Sequence, residues 1–189
     1  MKDTERNTFL GAVKNAVLHF LFPCRCVFCR RLMPVTTKIA VCHTCMQKLP
    51  FTMAYPRCGR CGRPMAVHRR YCAECDGRMD FAFERICVPY LYEGAVKKAL
   101  ILFKRERYQS FAKVFAAHIG AVLSHDLGDV CFDAVVSVPP RPERMHKEGY
   151  DQAETLAAAV AKQMELPYLG GGLYQSENRK KQSALSKRE

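Results

Sequence analysis

The sequence predicts a small, metal-stabilised N-terminal module followed by an α/β domain with a parallel sheet, and three features carry that expectation. Four Cys-x-x-Cys pairs stand at Cys26/Cys29, Cys42/Cys45, Cys58/Cys61 and Cys72/Cys75, with 12, 12 and 10 residues between them. The stretch that holds them has only short apolar runs and is broken by prolines at 23, 50, 56 and 64. From residue 81 onward, apolar runs of strand length alternate with helical periodicity, the pattern of βαβ units.

Residues 1–20 predict an amphipathic helix. Phe9, Val13, Val17 and Leu21 recur at every fourth position, which places them along one helical side. Lys14, Asn15 and His19 interrupt the apolar stretch, and no small-residue cleavage site follows, so neither a signal peptide nor a membrane span is expected. A helix docked on the rest of the chain is the expectation, ahead of a membrane-surface anchor, and without signs of export a reducing cytoplasm is the expected location.

Residues 21–80 form the cysteine module. A two-residue spacer lets one tight turn aim two thiolates at one metal, and tetrahedral zinc takes four. Eight such cysteines therefore predict two Zn(Cys)4 sites. A disulfide framework would need an oxidising compartment, of which the chain carries no sign. Sequential pairing, first pair with second and third with fourth, is expected in preference to cross-bracing. Gly62 after Cys61 and Gly77 after Cys75 suit turns whose backbone N–H groups face sulfur. Cys24 also has a permitted spacing to Cys29 and competes with Cys26 as a ligand. His43 reads as an exposed spacer, and Cys87 and Cys131, set in apolar segments, as small buried side chains.

Composition bounds the rest. Of 189 residues 49% are apolar, enough for a core, which excludes a disordered chain. The formal charge is +12; each Zn(Cys)4 contributes −2, leaving about +8. A polyanion such as nucleic acid or a phosphorylated substrate is a compatible partner.

Residues 81–189 form the α/β part. Ile86–Tyr92 predicts a strand, with Pro89 marking an edge or bulge. Glu93–Lys104 predicts a helix with Val96, Leu100 and Phe103 inward, and Tyr108–Ser124 another with Phe111, Val114, Phe115, Ile119 and Val122 inward. Phe132–Pro139 is a short apolar run suited to a parallel strand buried on both faces. Asp151–Glu165 predicts a third helix with Leu156, Val160 and Met164 inward, and 166–169 begins another strand.

Ligands of open α/β sheets bind beyond the carboxyl ends of strands. Here that place is the basic loop 139–152, which leads into a helix N-terminus that favours anions. Lys104, Arg141, Arg144, Gly149 and Gln152 are the candidate contacts to phosphate or another polyanion; no catalytic residue is assigned. A solvated basic loop with Asp151 as helix cap explains the same composition equally well.

Together these residues are similar to the ComF family of bacterial competence-associated proteins: a double zinc ribbon followed by a type I phosphoribosyltransferase-like domain. The carriers are Phe22-Pro23 with the four cysteine pairs, Tyr92-Glu93-Gly94, Phe103-Lys104, Asp133–Pro139, Arg144, Gly149–Gln152 and Gln182–Arg188. The resemblance implies two bound Zn2+ ions and a role in handling internalised single-stranded DNA, with that DNA and competence or DNA-processing proteins as partners. The family's phosphoribosyl-pyrophosphate signature, an apolar strand ending in two acidic residues before a Thr/Gly-rich loop, belongs some tens of residues after 188 and is not among these residues. The C-terminal domain is thus expected to be incomplete and inactive as a transferase, whether as a truncated relative or a partial sequence. Glu148 stands where the family often has arginine. A working phosphoribosyltransferase with further codons and a zinc-ribbon adaptor for nucleic acid or protein are the competing readings.

Overall fold

The computed structural model describes residues 23–34, 37–78, 80–105, 109–140 and 149–174. The expected helix over 1–20, Arg141, Arg144 and the segment 182–188 lie outside the described residues. Four α-helices are described, α1 His43–Lys48, α2 Gly94–Arg105, α3 Gln109–Leu127 and α4 Gln152–Met164, with a 3-10 turn at Thr52–Ala54. The chain divides into two compact units after Val130. The cysteine module and helices α2 and α3 therefore belong to one unit.

Within that unit α2 buries Val96, Ala99 and Phe103, while Leu100 is half-buried. Helix α3 buries Phe111, Val114, Phe115 and Val122, with Ile119 half-buried. The Phe103 and Phe111 rings stack at 6.3 Å, and Phe115 meets Phe103 edge-on at 5.6 Å. Phe28, from between Cys26 and Cys29, enters this cluster against Phe115 at 6.4 Å and Tyr90 at 6.0 Å. Tyr90 stacks on Phe51 at 5.4 Å and shares a buried hydrogen bond with His118 Nδ1 of α3. Burial holds the His118 imidazole below its ordinary range and the Tyr90 phenol above its own.

The strand expected over 86–92 does not form. Tyr90 makes an isolated antiparallel bridge to Phe51, flanked by Thr52 N–H to Pro89 O at 3.1 Å and Leu91 N–H to Pro50 O at 2.9 Å. Pro50 and Pro89 have no N–H to donate, so the ladder stops there.

The expected parallel sheet is not shown by the described residues of the second unit. Among its described residues there is one parallel bridge, Val135 to Tyr168, made by Val135 N–H to Pro167 O (2.9 Å) and Leu169 N–H to Val135 O (3.0 Å). Ser137 Oγ and the Tyr168 hydroxyl, 2.9 Å apart, reinforce the pair. No strand runs through 132–139: Val138 is 74% exposed where burial on both faces was expected. Pro139, Pro140 and Pro167 remove ladder donors, and no third segment pairs with Val135 among the described residues. Helix α4 follows the expected pattern. Asp151 caps it by accepting from Ala153 N–H at 2.8 Å, and Ala157, Val160 and Ala161 are buried, with Leu156 and Met164 half-buried. Cys131 is exposed and Cys87 half-buried, so neither is the fully buried side chain expected. No described helix is long and apolar enough to cross a membrane.

Candidate metal centres

The eight paired cysteines converge as two sets, Cys26, Cys29, Cys42, Cys45 and Cys58, Cys61, Cys72, Cys75, each with all its sulfurs within 4.8 Å of one another. Pairing is sequential, and Cys24 is in neither set. The geometry fits zinc. With Zn–S near 2.3 Å, a tetrahedron has edges of about 3.8 Å. Cys29 and Cys42 sulfurs are 3.7 Å apart, and Cys61 and Cys72 sulfurs 3.8 Å, far longer than a disulfide bond.

The two cages are copies of one backbone design. Cys26 N–H bonds Arg31 O (2.8 Å) and Arg30 N–H bonds Cys26 O (2.8 Å); Cys58 N–H bonds Arg63 O (2.9 Å) and Gly62 N–H bonds Cys58 O (3.1 Å). Each knuckle is closed by a short antiparallel bridge, Arg25 to Leu32 and Arg57 to Pro64. Val27 N–H reaches Ala40 O and Gly59 N–H reaches Arg70 O, both at 2.8 Å, tying the first knuckle of each cage to the chain before its second. Cys42 N–H and Cys72 N–H then donate to the Cys26 and Cys58 sulfurs, each at 3.4 Å. The residue that follows the second cysteine of the knuckle has positive φ in both, Arg30 at 63° and Gly62 at 68°.

These N–H groups prepare the sulfurs for a cation. Burial opposes ionisation of Cys26, but backbone N–H groups of Cys29, Cys42 and Phe28 outweigh it and hold the thiol at about 7. Cys58 is likewise held at about 6, against burial, by N–H groups of Cys61, Cys72 and Arg60. In the other direction, burial and the neighbouring sulfurs raise Cys45, and push Cys75 up to about 12. Four thiolates so close together require a divalent cation between them. A bound zinc would supply that charge, with all eight cysteines as ligands and no open position for catalysis.

Of the candidate phosphate contacts, Lys104 is exposed at the end of α2 in the first unit. Gly149 (φ 56°) and Gln152, the first residue of α4, are in the second unit beside the Asp151 cap. Spacing did not reveal a set of arginine–ring contacts on the second ribbon. Arg70 lies 5.3 Å from the Tyr71 ring centroid, Arg60 lies 5.4 Å from Tyr71 and 4.9 Å from Phe81, and Arg78 lies 4.9 Å from Phe81. The adjacent letters Arg70-Tyr71 were the only local hint, because Arg60 reaches the rings across the metal turn.

The arrangement defines a double zinc ribbon, and the family model of the double zinc ribbon domain matches residues 17–76. Competence protein F of Haemophilus influenzae is 23% identical over 156 residues, covering 78% of this chain and 64% of that protein. Competence protein ComFC of Bacillus subtilis is 27% identical over 152 residues, covering 77% of this chain and 62% of that protein. The chain thus spans somewhat less than two thirds of the length of these curated relatives. No solved structure matches it significantly. The chain thus carries a double zinc ribbon and is similar to two competence proteins over about three quarters of its length.

Proposed function

We propose that this chain is a cytoplasmic, zinc-stabilised protein that binds single-stranded DNA during natural transformation. The observation that carries the reading is the joint occurrence of two complete four-cysteine cages and relatives named for competence in a strongly basic chain. A net charge of +12, about +8 with two Zn(Cys)4 centres, favours a polyanionic partner.

The second unit is read as the start of a phosphoribosyltransferase-like α/β domain, supported by the parallel Val135–Tyr168 bridge and the capped helix that follows the basic loop. In that reading Gly149 and Gln152 at the start of α4, with Arg141 and Arg144 of the loop, contact phosphate oxygens. Lys104 is a separate cation of the first unit. The acidic pair and Thr/Gly-rich loop that hold phosphoribosyl pyrophosphate in the family are not among these 189 residues. The residues present are assigned binding and no transfer step.

The test is titration of the zinc-loaded protein with a labelled oligothymidylate and with a duplex of equal length. Tighter binding to the single strand is expected, with affinity falling linearly in log[salt] between about 50 and 200 mM. In a competent host, disruption of the gene should lower transformation by linear DNA. Equal or better duplex binding together with unchanged transformation would reject the reading.

A further inference from the structure

The two ribbons share a cage but not a surface. At the tip of the first, Val27-Phe28 turns inward, with Val27 fully buried and Phe28 packed on Phe115 and Tyr90. The matching residues of the second are Gly59-Arg60. The chain leading into the second knuckle of each cage differs in the same sense: Ala40-Val41 in the first, Arg70-Tyr71 in the second. Where the first ribbon packs hydrocarbon, the second alternates guanidinium and ring in the order Arg70, Tyr71, Arg60, Phe81, Arg78. Phe83, 42% exposed, extends the series at 5.3 Å from Phe81.

This ladder is held in place. Arg60 is shared by two rings, its Nη1 donates to Arg78 O at 3.2 Å, and its buried Nε has no hydrogen-bond partner among the described residues. Contact with the ring faces therefore fixes the guanidinium plane. Arg78 is paired with Asp80 at 3.0 Å, and Arg70 is exposed. Planar cations alternating with aromatic rings at a wet surface match the chemistry of an unpaired nucleotide chain. Bases stack on rings and guanidinium planes, while N–H groups at the edges meet phosphates. A duplex, whose bases are already stacked, has no free base faces to lay on the rings.

We infer that the Arg70–Tyr71–Arg60–Phe81–Arg78 ladder of the second ribbon, continued by Phe83, is a stacking platform for single-stranded DNA, and that the first ribbon is not. This rests on the reading of the chain as a single-strand-binding protein and assigns the contact to one face of it.

The experiment uses the full, zinc-loaded chain and an oligothymidylate. Arg60→Lys keeps the charge and removes the plane; Tyr71→Leu and Phe83→Leu remove rings without touching charge. Each should weaken binding about tenfold while the salt slope stays unchanged, since stacking is lost and phosphate contacts are kept. Arg31→Lys, at an exposed position of the first ribbon, should leave affinity within about twofold of the parent. Zinc content of two per chain checks that each variant is folded. A bromodeoxyuridine oligonucleotide crosslinked to the unaltered chain provides a readout independent of folding, and the crosslinks should map to Tyr71, Phe81 or Phe83. If the parent binds but the three variants bind as well, or the crosslinks map elsewhere, the ladder is packing only and the functional reading survives. Displacement of the oligonucleotide by polyglutamate at equal charge concentration would show a general polyanion surface and also overturn it. If the parent fails to bind single strands at all, the functional reading falls and the platform with it.

Discussion

The first and second ribbons hold the same four-sulfur cage with the same backbone bonds, yet they are anchored by different forces. The first pushes Phe28 and Val27 into the aromatic cluster of α2 and α3, so its knuckle is part of the hydrophobic core. The second keeps its tip at the surface and is tied by charge. Arg57, next to Cys58, makes two bonds to the Asp126 carboxylate at 2.6 and 2.8 Å, and Arg85 Nη1 donates to Asp126 O at 2.7 Å at the C-terminal end of α3. Metal alone builds the cage; the residues between its ligands decide what the cage is attached to.

Removing one ligand from each cage gives the largest expected contrast. Each site contributes on the order of 10 kcal/mol of apparent stability. Cys26→Ser should lose one zinc and, by withdrawing Phe28 from the core, most of the helical circular dichroism. Cys58→Ser should lose one zinc and keep most of that signal. Equal loss of helix in both variants would show that the anchoring is alike. The tip residues make the same point on a smaller scale. Phe28→Ala should cost about 3–5 kcal/mol in denaturant titration, against about 1 kcal/mol for Arg60→Ala.

The charged tie comes next. The Arg57 and Asp126 side chains are only 11% and 7% exposed, so Arg57→Ala, which leaves the buried carboxylate with His125 Nδ1 at 2.8 Å as its side-chain partner, should cost about 2 kcal/mol. The Arg63–Glu74 pair is the internal control. It has similar length, 2.8 Å, but with both side chains more than half exposed its removal should leave Tm unchanged within error.

The positive-φ position separates the ribbons again. A Cβ on Gly62 would sit 2.6 Å from Ile86 O, so Gly62→Ala should cost about 2 kcal/mol. Arg30→Gly, at the matching turn, relieves the same backbone conformation and should leave stability within about 1 kcal/mol of the parent.

The smallest effect concerns the core that the first ribbon enters. Burial lowers the His118 pKa, so below about 6.5 the unfolded chain binds a proton that the folded chain refuses. The stability due to the neutral imidazole is complete above 6.5 and lost as pH falls towards the folded value. Between pH 7.5 and 5.5 the stability of His118→Gln should therefore change less steeply than that of the parent, by up to about 1.4 kcal/mol per pH unit. Parallel slopes would show that His118 already binds its proton in the core.

Legibility in the sequence followed locality. Sequential pairing depends on spacers of two and of ten to twelve residues and was readable, while Cys24 and Cys26 stayed alternatives; α2, α3 and α4, which depend on positions a few residues apart, were readable too, and the Asp151 cap was one of two readings of its loop. What depends on distant partners was hidden. Nothing near Phe28 marks it as a core residue while Arg60, at the same turn, is not. The runs 86–92 and 132–139 have strand composition, but a strand exists only with neighbours that can donate, and prolines at 50, 89, 139 and 167 limit the pairing to single bridges.

The position of Phe28 also bears on how the chain is made. Its partner ring at Phe115 is synthesised more than eighty residues later, so a chain emerging from the ribosome presents the knuckle long before anything exists to cover it. Through that interval zinc is what keeps the tip in shape, and the nascent protein's need for the ion precedes its need for its own helices.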